Sequence, residues 1–231
     1  MNSFTYNGTS SNNWGLIVDN VQVFNAPAPD YESVAVAGRN GELTLFNNRY
    51  NNVQVIYTIG ITTDFINKTR AIADWLLASV GYHTLTDTYQ PSYYRQARFV
   101  GDVEYVVNAL CRTGSANVVF DCKPQLFLNS GTSAISVSNG DTITNPTNYP
   151  AKPLLRLYGT GTAQIGNYEV TVTTADGYTD IDCEQMNCYK GTTNCNGNVV
   201  IDDFPMLESG ANTITYTGFT QVEITPNWWR L

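Results

Sequence analysis

Apolar and polar residues alternate along much of the chain, in short runs. In the clearest run the apolar residues are two positions apart, at Val53, Val55, Tyr57, Ile59 and Ile61. The same spacing occurs at residues 168–172, 214–216 and 222–224. A period of two is that of a β-strand with one buried face. Dipeptides that tolerate positive φ lie between such runs, at Asn40-Gly41, Asp176-Gly177 and Asn196-Gly197. Many short strands with frequent turns predict a β-sandwich or barrel.

One stretch, from Asp64 to Val80, follows a helical period instead. Its apolar residues near one helical face are Phe65, Ile72, Leu76 and Val80, and the stripe is widened by Trp75 and Leu77. Thr63 or Asp64 can cap the start, and Gly81 is placed to end the helix in a left-handed turn. The pattern predicts one amphipathic helix of about four to five turns that packs on a sheet.

A change in composition near Pro124 predicts a domain boundary. Residues 117–122 have the pattern of a strand, whereas residues 129–150 are rich in Asn, Ser, Thr, Gly and Pro. We therefore predict a mainly β protein with two domains. The domain of residues 1–124 contains the helix, and the domain of residues 125–231 is all β.

The composition is unusually poor in charge. Only 14% of the 231 residues are charged, against about 25% in an average domain. Such a surface suits a protein that neighbours largely cover. Twelve basic residues face twenty acidic ones, for a net charge of −8, so the chain lacks the cations that phosphate binding needs. DNA is expected only as a passenger, which a negatively charged channel would let slide past.

The N-terminus has no basic start followed by an apolar run, which predicts no signal peptide. No segment is apolar enough for a membrane span, so we expect no membrane insertion. We expect the protein to be synthesised in a cytoplasm. The cysteines are five, an odd number: Cys111, Cys122, Cys183, Cys188 and Cys195. Free thiols are therefore expected rather than disulfides, and the spacings lack the tight pairs typical of zinc sites.

The residues that could carry chemistry form no convincing site, and no cofactor, metal or catalytic residue is expected. Asp180, Asp182 and Glu184 alternate with Ile181 and Cys183, which predicts a solvated acidic face. Calcium ligation and a pair of catalytic carboxylates are less favoured alternatives, since the calcium-loop spacing is absent. The single histidine, His83, has no nucleophile motif nearby, and the chain has no phosphate-binding glycine loop.

Two adjacent tryptophans, Trp228 and Trp229, are candidates for exposed aromatic residues. Neighbours on a strand point to opposite faces, so one can lie in the core while the other is exposed. Exposed aromatic rings are found both in sugar-binding sites and at protein interfaces.

The order of several motifs resembles the distal tail (Dit) proteins of long-tailed bacteriophages, chiefly those of Gram-positive hosts. The motifs are VAGRNG at 36–41, IADWLL at 72–77 with Gly81 and Leu85, YYRQAR at 93–98, FDCKP at 120–124, PLLRLYGTG at 153–161, IDCE at 181–184, FPML at 204–207, GANTI at 210–214 and WWR at 228–230. Each is weak alone, but together they extend over nearly the whole chain.

The resemblance implies a non-enzymatic structural hub of a phage tail tip or baseplate. The first domain would form a homo-oligomeric, hexameric ring, and the second would be a galectin-like β-sandwich outside it. The partners would be the tail tube protein on one side and tail-tip, baseplate or receptor-binding proteins on the other, with DNA passing through. The expected location is the virion, after assembly in the cytoplasm of the host bacterium. Sugar-binding galectins use a histidine, and residues 125–231 contain none.

A ring with head-to-tail contacts needs two different complementary patches on each subunit. The run from Tyr31 to Ile61 has the pattern of a long hairpin that could supply one, with its tip at Gly38, Arg39, Asn40, Gly41 and Glu42. Asn40-Gly41 suits a two-residue hairpin loop, between strands that hold Val34 and Val36 on one side and Leu43 and Leu45 on the other. A plain hairpin inside one subunit is the alternative. For the whole chain, a carbohydrate-binding module for host glycans and, more remotely, a cell-wall glycosidase stay open.

Overall fold

The computed structural model describes residues 2–101, 103–108, 110 and 112–231, without the side chain of residue 20. The chain divides into two compact units, residues 1–126 with residue 231, and residues 127–230. Most residues in regular structure belong to β-strands, as the alternating pattern predicts, and the described residues contain one α-helix. The expected fold class, mainly β with one helix in the first half, is therefore confirmed.

The first unit is built on one antiparallel sheet with a helix. In chain order its elements are β1 (Phe4–Tyr6), β2 (Thr9–Ser10), a 3₁₀ turn (Ser11–Trp14), β3 (Ile17–Gln22), β4 (Pro29–Ala35), β5 (Glu42–Tyr50), β6 (Val53–Ile61), α1 (Phe65–Leu77), β7 (His83–Asp87), β8 (Tyr93–Phe99), β9 (Tyr105–Val107) and β10 (Gly114–Leu128). The sheet has the order β2-β1-β7-β8-β10-β6-β3, and β9 also pairs with β10. β4 and β5 pair only with each other among the described strands.

The core of the first unit lies between this sheet and α1. The five alternating apolar residues of β6, from Val53 to Ile61, are all buried, as their period predicts. Phe65, Ile72 and Leu76 of α1 join the core beside Phe4, whose ring stacks on Tyr57. The amphipathic helix therefore packs on the sheet in the manner predicted.

The ends of α1 differ from the prediction. The helix stops at Leu77, which is exposed, and Val80 is 98% exposed, so neither belongs to the buried stripe. Gly81 does adopt a left-handed conformation, with φ of 98°, but it lies beyond the C-cap residue Ala78. Asp64 precedes the helix, yet its carboxylate accepts a hydrogen bond from the Asn67 side chain and caps no backbone N–H.

The second unit is a sandwich of two antiparallel sheets. Its elements are a 3₁₀ turn (Asn129–Gly131), β11 (Ile135–Val137), β12 (Thr142–Asn145), β13 (Leu154–Tyr158), β14 (Gly161–Ile165), β15 (Tyr168–Val172), β16 (Tyr178–Asp182), β17 (Asn187–Lys190), β18 (Thr193–Asn194), a 3₁₀ turn (Asn196–Asn198), β19 (Val199–Ile201), β20 (Gly210–Thr217), β21 (Gln221–Thr225) and β22 (Trp229–Arg230). One sheet has the order β11-β21-β13-β16-β17-β18 and the other β12-β20-β14-β15-β19. Their inner faces share one apolar core, which includes Leu155, Ile214 and Trp228.

The division between the units falls inside a strand. β10 continues from Gly114 through Pro124 to Leu128, so Pro124 does not end the strand that precedes it. Asn196-Gly197 also differs from its prediction as a positive-φ turn, because it forms part of a 3₁₀ turn and neither residue has positive φ.

Candidate assembly surface: the β4–β5 arm

The hairpin of β4 and β5, residues 29–50, is called the arm below. Val34 pairs with Leu43, and Ala35 pairs with Glu42 as the last pair before the loop. The loop is therefore six residues long, 36–41, and not the two-residue turn predicted at Asn40-Gly41. The left-handed positions are Gly38, with φ of 78°, and Gly41, with φ of 82°, whereas Asn40 does not have positive φ.

Both faces of the arm carry apolar side chains. Residues that pair across the strands share a face, so Val34, Leu43 and Leu45 lie together on one face. The opposite face carries the pair Tyr31 and Phe46. Leu45 is 48% exposed, Phe46 46% and Tyr31 55%. A two-stranded hairpin with both faces in water is at best marginally stable, and clustered exposed apolar residues mark contact surfaces.

The loop of the arm exposes charged and polar groups. Arg39 and Asn40 in the loop and Glu42 directly after it are all exposed, and the Arg39 N–H donates to the Val36 carbonyl at 3.1 Å. Within the described residues, neither Arg39 nor Glu42 has an ion-pair partner. By contrast, Arg49 near the base of the arm pairs with Asp30. The arm therefore combines exposed apolar side chains on both faces with exposed charges, Arg39 and Glu42, that have no ion-pair partner among the described residues.

Three acidic residues of the second unit, Asp176, Asp180 and Glu184, pair with cations. Asp180 was expected on a solvated face, but it is buried and binds the Arg156 guanidinium at 2.7 and 2.9 Å. This hydrogen bonding raises the pKa of Arg156, whose guanidinium also lies 4.5 Å from the centre of the Tyr178 ring. Burial of Asp180 was not predictable from alternation, because it depends on a strand more than twenty residues away in sequence.

The other carboxylates of this group also have partners. Glu184 pairs with Lys152 at 3.3 Å, and Asp176 pairs with Lys190 at 2.8 Å. Asp182 accepts hydrogen bonds from the backbone N–H groups of Glu184 and the next residue. In the described part of the chain, no three His, Cys, Asp or Glu side chains are grouped in a way that could hold a metal ion.

The remaining titratable candidates are His83 and the cysteines. His83 lies at the start of β7 with its ring edge-on to Tyr6, at 5.8 Å between ring centres. Burial raises the pKa of the Cys122 thiol to about 12 and that of Cys188 to about 11, which leaves both as thiols at neutral pH. Four cysteines are free thiols, and Cys111 lies outside the described residues.

The adjacent tryptophans form no exposed aromatic surface. Trp228 is only 4% exposed and belongs to the core of the second unit, so its assignment as an exposed aromatic is wrong. Trp229 is half-buried: its ring stacks on Tyr149 at 4.8 Å, and its Nε1 donates to the Pro150 carbonyl at 3.0 Å. Strand alternation predicted that the two would differ, but only packing decides which one is buried.

Solved structures of phage tail proteins share the fold of this chain. The chain is similar over 100% of its length to 100% of the Dit protein (gp 19.1) of phage SPP1, described as a paradigm of the hub adsorption apparatus in phages that infect Gram-positive bacteria, with a TM-score of 0.72 and 12% identity. It also matches two structures of the phage p2 baseplate in its activated conformation. With Ca the TM-score is 0.55 over 97% of each chain, and with Sr it is 0.52 over 100% of this chain and 98% of that one, both at 12% identity.

The resemblance that the motifs suggested is thus confirmed for the fold. No protein-family model matches the sequence, and no curated protein does. At 12% identity, this structural similarity shows a shared fold and does not show that individual residues make the same contacts. In the described part of the chain, no helix is long and apolar enough to cross a membrane.

Proposed function

We propose that this protein is a non-enzymatic structural hub of a bacteriophage tail tip or baseplate, and that its copies join into a ring through the β4–β5 arm. The observation that carries the proposal is the arm itself, which is apolar on both faces and pairs with no other described strand. A head-to-tail ring needs a donor and an acceptor patch on every copy, and a projecting hairpin is a donor.

The fold and the charge support the same role. Proteins with this fold, at 12% identity, include a phage hub protein and components of a phage baseplate. The ring of this proposal is hexameric, with the tail tube and tip proteins as neighbours and DNA as the passenger. The net charge of −8 agrees with a channel that does not hold DNA. The carbohydrate-binding alternative loses its main support, because Trp228 is buried and Trp229 is stacked within the unit.

The experiment reverses the charge of Arg39, the one cationic residue in the loop of the arm. Arg39→Glu changes an exposed, unpaired residue, so the free energy of unfolding of the isolated chain should change by at most about 1 kcal/mol. In a ring it would place a negative charge against the neighbour at every contact. Arg230→Glu, at an exposed position of the second unit, makes the same charge change and is the matched control.

The readouts are mass by light scattering, negative-stain images and incorporation into tails. We expect wild-type and Arg230→Glu chains to form rings and enter tails, and Arg39→Glu to stay a folded monomer. If Arg39→Glu assembles like wild type, the arm is not the contact. If wild-type chains form no ring in the presence of tail components, the hub proposal itself fails.

A further inference from the structure

Four Asn-Gly dipeptides occur in the chain, and they share one chemical weakness. The backbone nitrogen of the glycine can attack the side-chain carbonyl carbon of the asparagine, because glycine has no Cβ to obstruct the approach. A new C–N bond closes a succinimide ring, and ammonia leaves with the proton that the glycine nitrogen loses. Water then opens the ring at either carbonyl and gives aspartate or isoaspartate. The sequence alone makes the four sites equivalent.

The backbone restrains the first of these sites. Asn7 lies in the two-residue turn between β1 and β2, closed by the pair of Tyr6 and Thr9. It holds a left-handed conformation, with φ of 49°, and its N–H donates to the Thr84 carbonyl at 3.0 Å. Ring closure must rotate the peptide plane after Asn7, which would break the turn.

Hydrogen bonds hold the carboxamides of two further sites. The Asn139 side-chain oxygen accepts from the Tyr216 N–H at 2.8 Å, and the attacking nitrogen of Gly140 donates to the Ile214 carbonyl at 2.8 Å. Asn196 accepts from the Cys188 N–H at 2.6 Å and donates to the Asn187 side chain at 3.0 Å. At both sites the reacting groups must first be released by a local opening of the fold.

Asn40 differs from the other three. It is exposed, and within the described residues its carboxamide, like that of Asn7, makes no hydrogen bond. Unlike Asn7, it lies in a six-residue loop and not in a two-residue turn. The loop carries glycines on both sides of the Arg39-Asn40 pair, and Asn40 does not hold the left-handed conformation that Asn7 has. We infer that Asn40 is the site at which the folded chain deamidates spontaneously.

The reaction would alter the surface on which assembly is proposed to depend. It adds a negative charge between Arg39 and Glu42 and changes the formal net charge of the chain from −8 to −9. The isoaspartate product also inserts one carbon into the backbone of the loop. This consequence rests on the proposed function: an arm docked on a neighbour is protected, so the modification would mark copies that remain unassembled.

The test measures deamidation at all four sites in one sample. The folded, unassembled chain is incubated at mildly alkaline pH, digested, and analysed by peptide mass spectrometry with isoaspartate detection. We expect the peptide with Asn40 to deamidate at least about tenfold faster than the other three, because those need local opening first. In denaturant the four rates should converge, since the fold no longer separates them. Asn40→Gln should remove most of the acidic species seen by isoelectric focusing.

Two outcomes would overturn the inference. One is a folded chain in which Asn7, Asn139 or Asn196 reacts as fast as Asn40. The other is a preference for Asn40 that persists in denaturant, since the sequence and not the fold would then set it. The same assay on assembled rings tests the proposed function separately: unchanged reactivity of Asn40 there would contradict docking of the arm, while the site assignment from free chains would stand.

Discussion

The two leucines on one face of the arm offer the sharpest test of what the arm does. Leu43 is 42% exposed and Leu45 48%. Full burial of a leucine side chain is worth about 1.5–3 kcal/mol, so covering the exposed half of each would stabilise an interface by about 1 kcal/mol per residue. The double variant Leu43→Thr with Leu45→Thr keeps strand propensity and removes most of this apolar area. It should weaken each contact by about 2 kcal/mol, or roughly 30-fold in affinity.

The stability of the isolated chain should hardly change, because the arm pairs only with itself among the described strands. Urea unfolding followed by tryptophan fluorescence measures this, since Trp14 and Trp75 stack at 4.4 Å against the core of the first unit and lie outside the arm. Assembly is followed by sedimentation over a range of concentrations. Val200→Thr is the control, since Val200 is an exposed apolar residue of a strand in the second unit.

The reasoning is refuted by either of two results. A loss of about 2 kcal/mol or more in unfolding of the isolated chain would mean that the leucines already pack inside their own subunit. Assembly as strong as that of wild type would mean that no neighbour covers this face. In contrast, a stable monomer with weakened assembly, together with a normal Val200→Thr control, is the expected pattern.

Further predictions concern the thiols and the second unit. Among the four described cysteines, the half-buried Cys195 should react first with a thiol reagent in the folded chain, and Cys122 only on unfolding. Because burial raises the pKa of Cys122 from 9.0 to about 12, its contribution to stability is full below about pH 9 and is lost as the pH rises towards 12, which urea titrations across that range would detect. Arg156→Ala leaves a buried carboxylate unpaired and should lower the free energy of unfolding by about 2 kcal/mol. Gly161→Ala would drive a Cβ into the backbone carbonyl oxygen of Thr217 and should cost at least about 2 kcal/mol. At Gly197 an added Cβ meets nothing within 4 Å, so Gly197→Ala should be near neutral in the same thermal melts.

Local periodicity predicted those parts of the fold in which one segment decides its own burial. β6 is the clearest case, since all five of its alternating apolar residues are buried and its bounds, Val53–Ile61, equal the run in the sequence. The helix was predicted for the same reason, as Phe65, Ile72 and Leu76 share a face. Its end was not, because the helix stops at the exposed Leu77, before the left-handed Gly81 that the sequence offers as a stop.

Long-range pairing explains what the sequence did not predict. Ile181 points into the core, and alternation therefore predicts that Asp180 points to solvent. Asp180 is nevertheless buried. The reason is Arg156 of β13, whose guanidinium binds the Asp180 carboxylate. The two residues are brought opposite each other only by the register between β13 and β16. In the same way, the length of the loop in the arm follows from which residues pair last, Ala35 with Glu42, and no local turn signal carries that information.

The exposed apolar side chains of the arm bear on its proposed role. An edge strand or hairpin that must stay free in water is usually protected by charges, prolines or a covering element. The arm contains Pro29 and the exposed Glu32, but it still presents Leu43, Leu45, Phe46 and Tyr31 to solvent. Such a segment would promote indiscriminate association unless a specific neighbour covers it. Only 14% of the residues of the chain are charged, and the ring proposed above would supply such a neighbour to every copy.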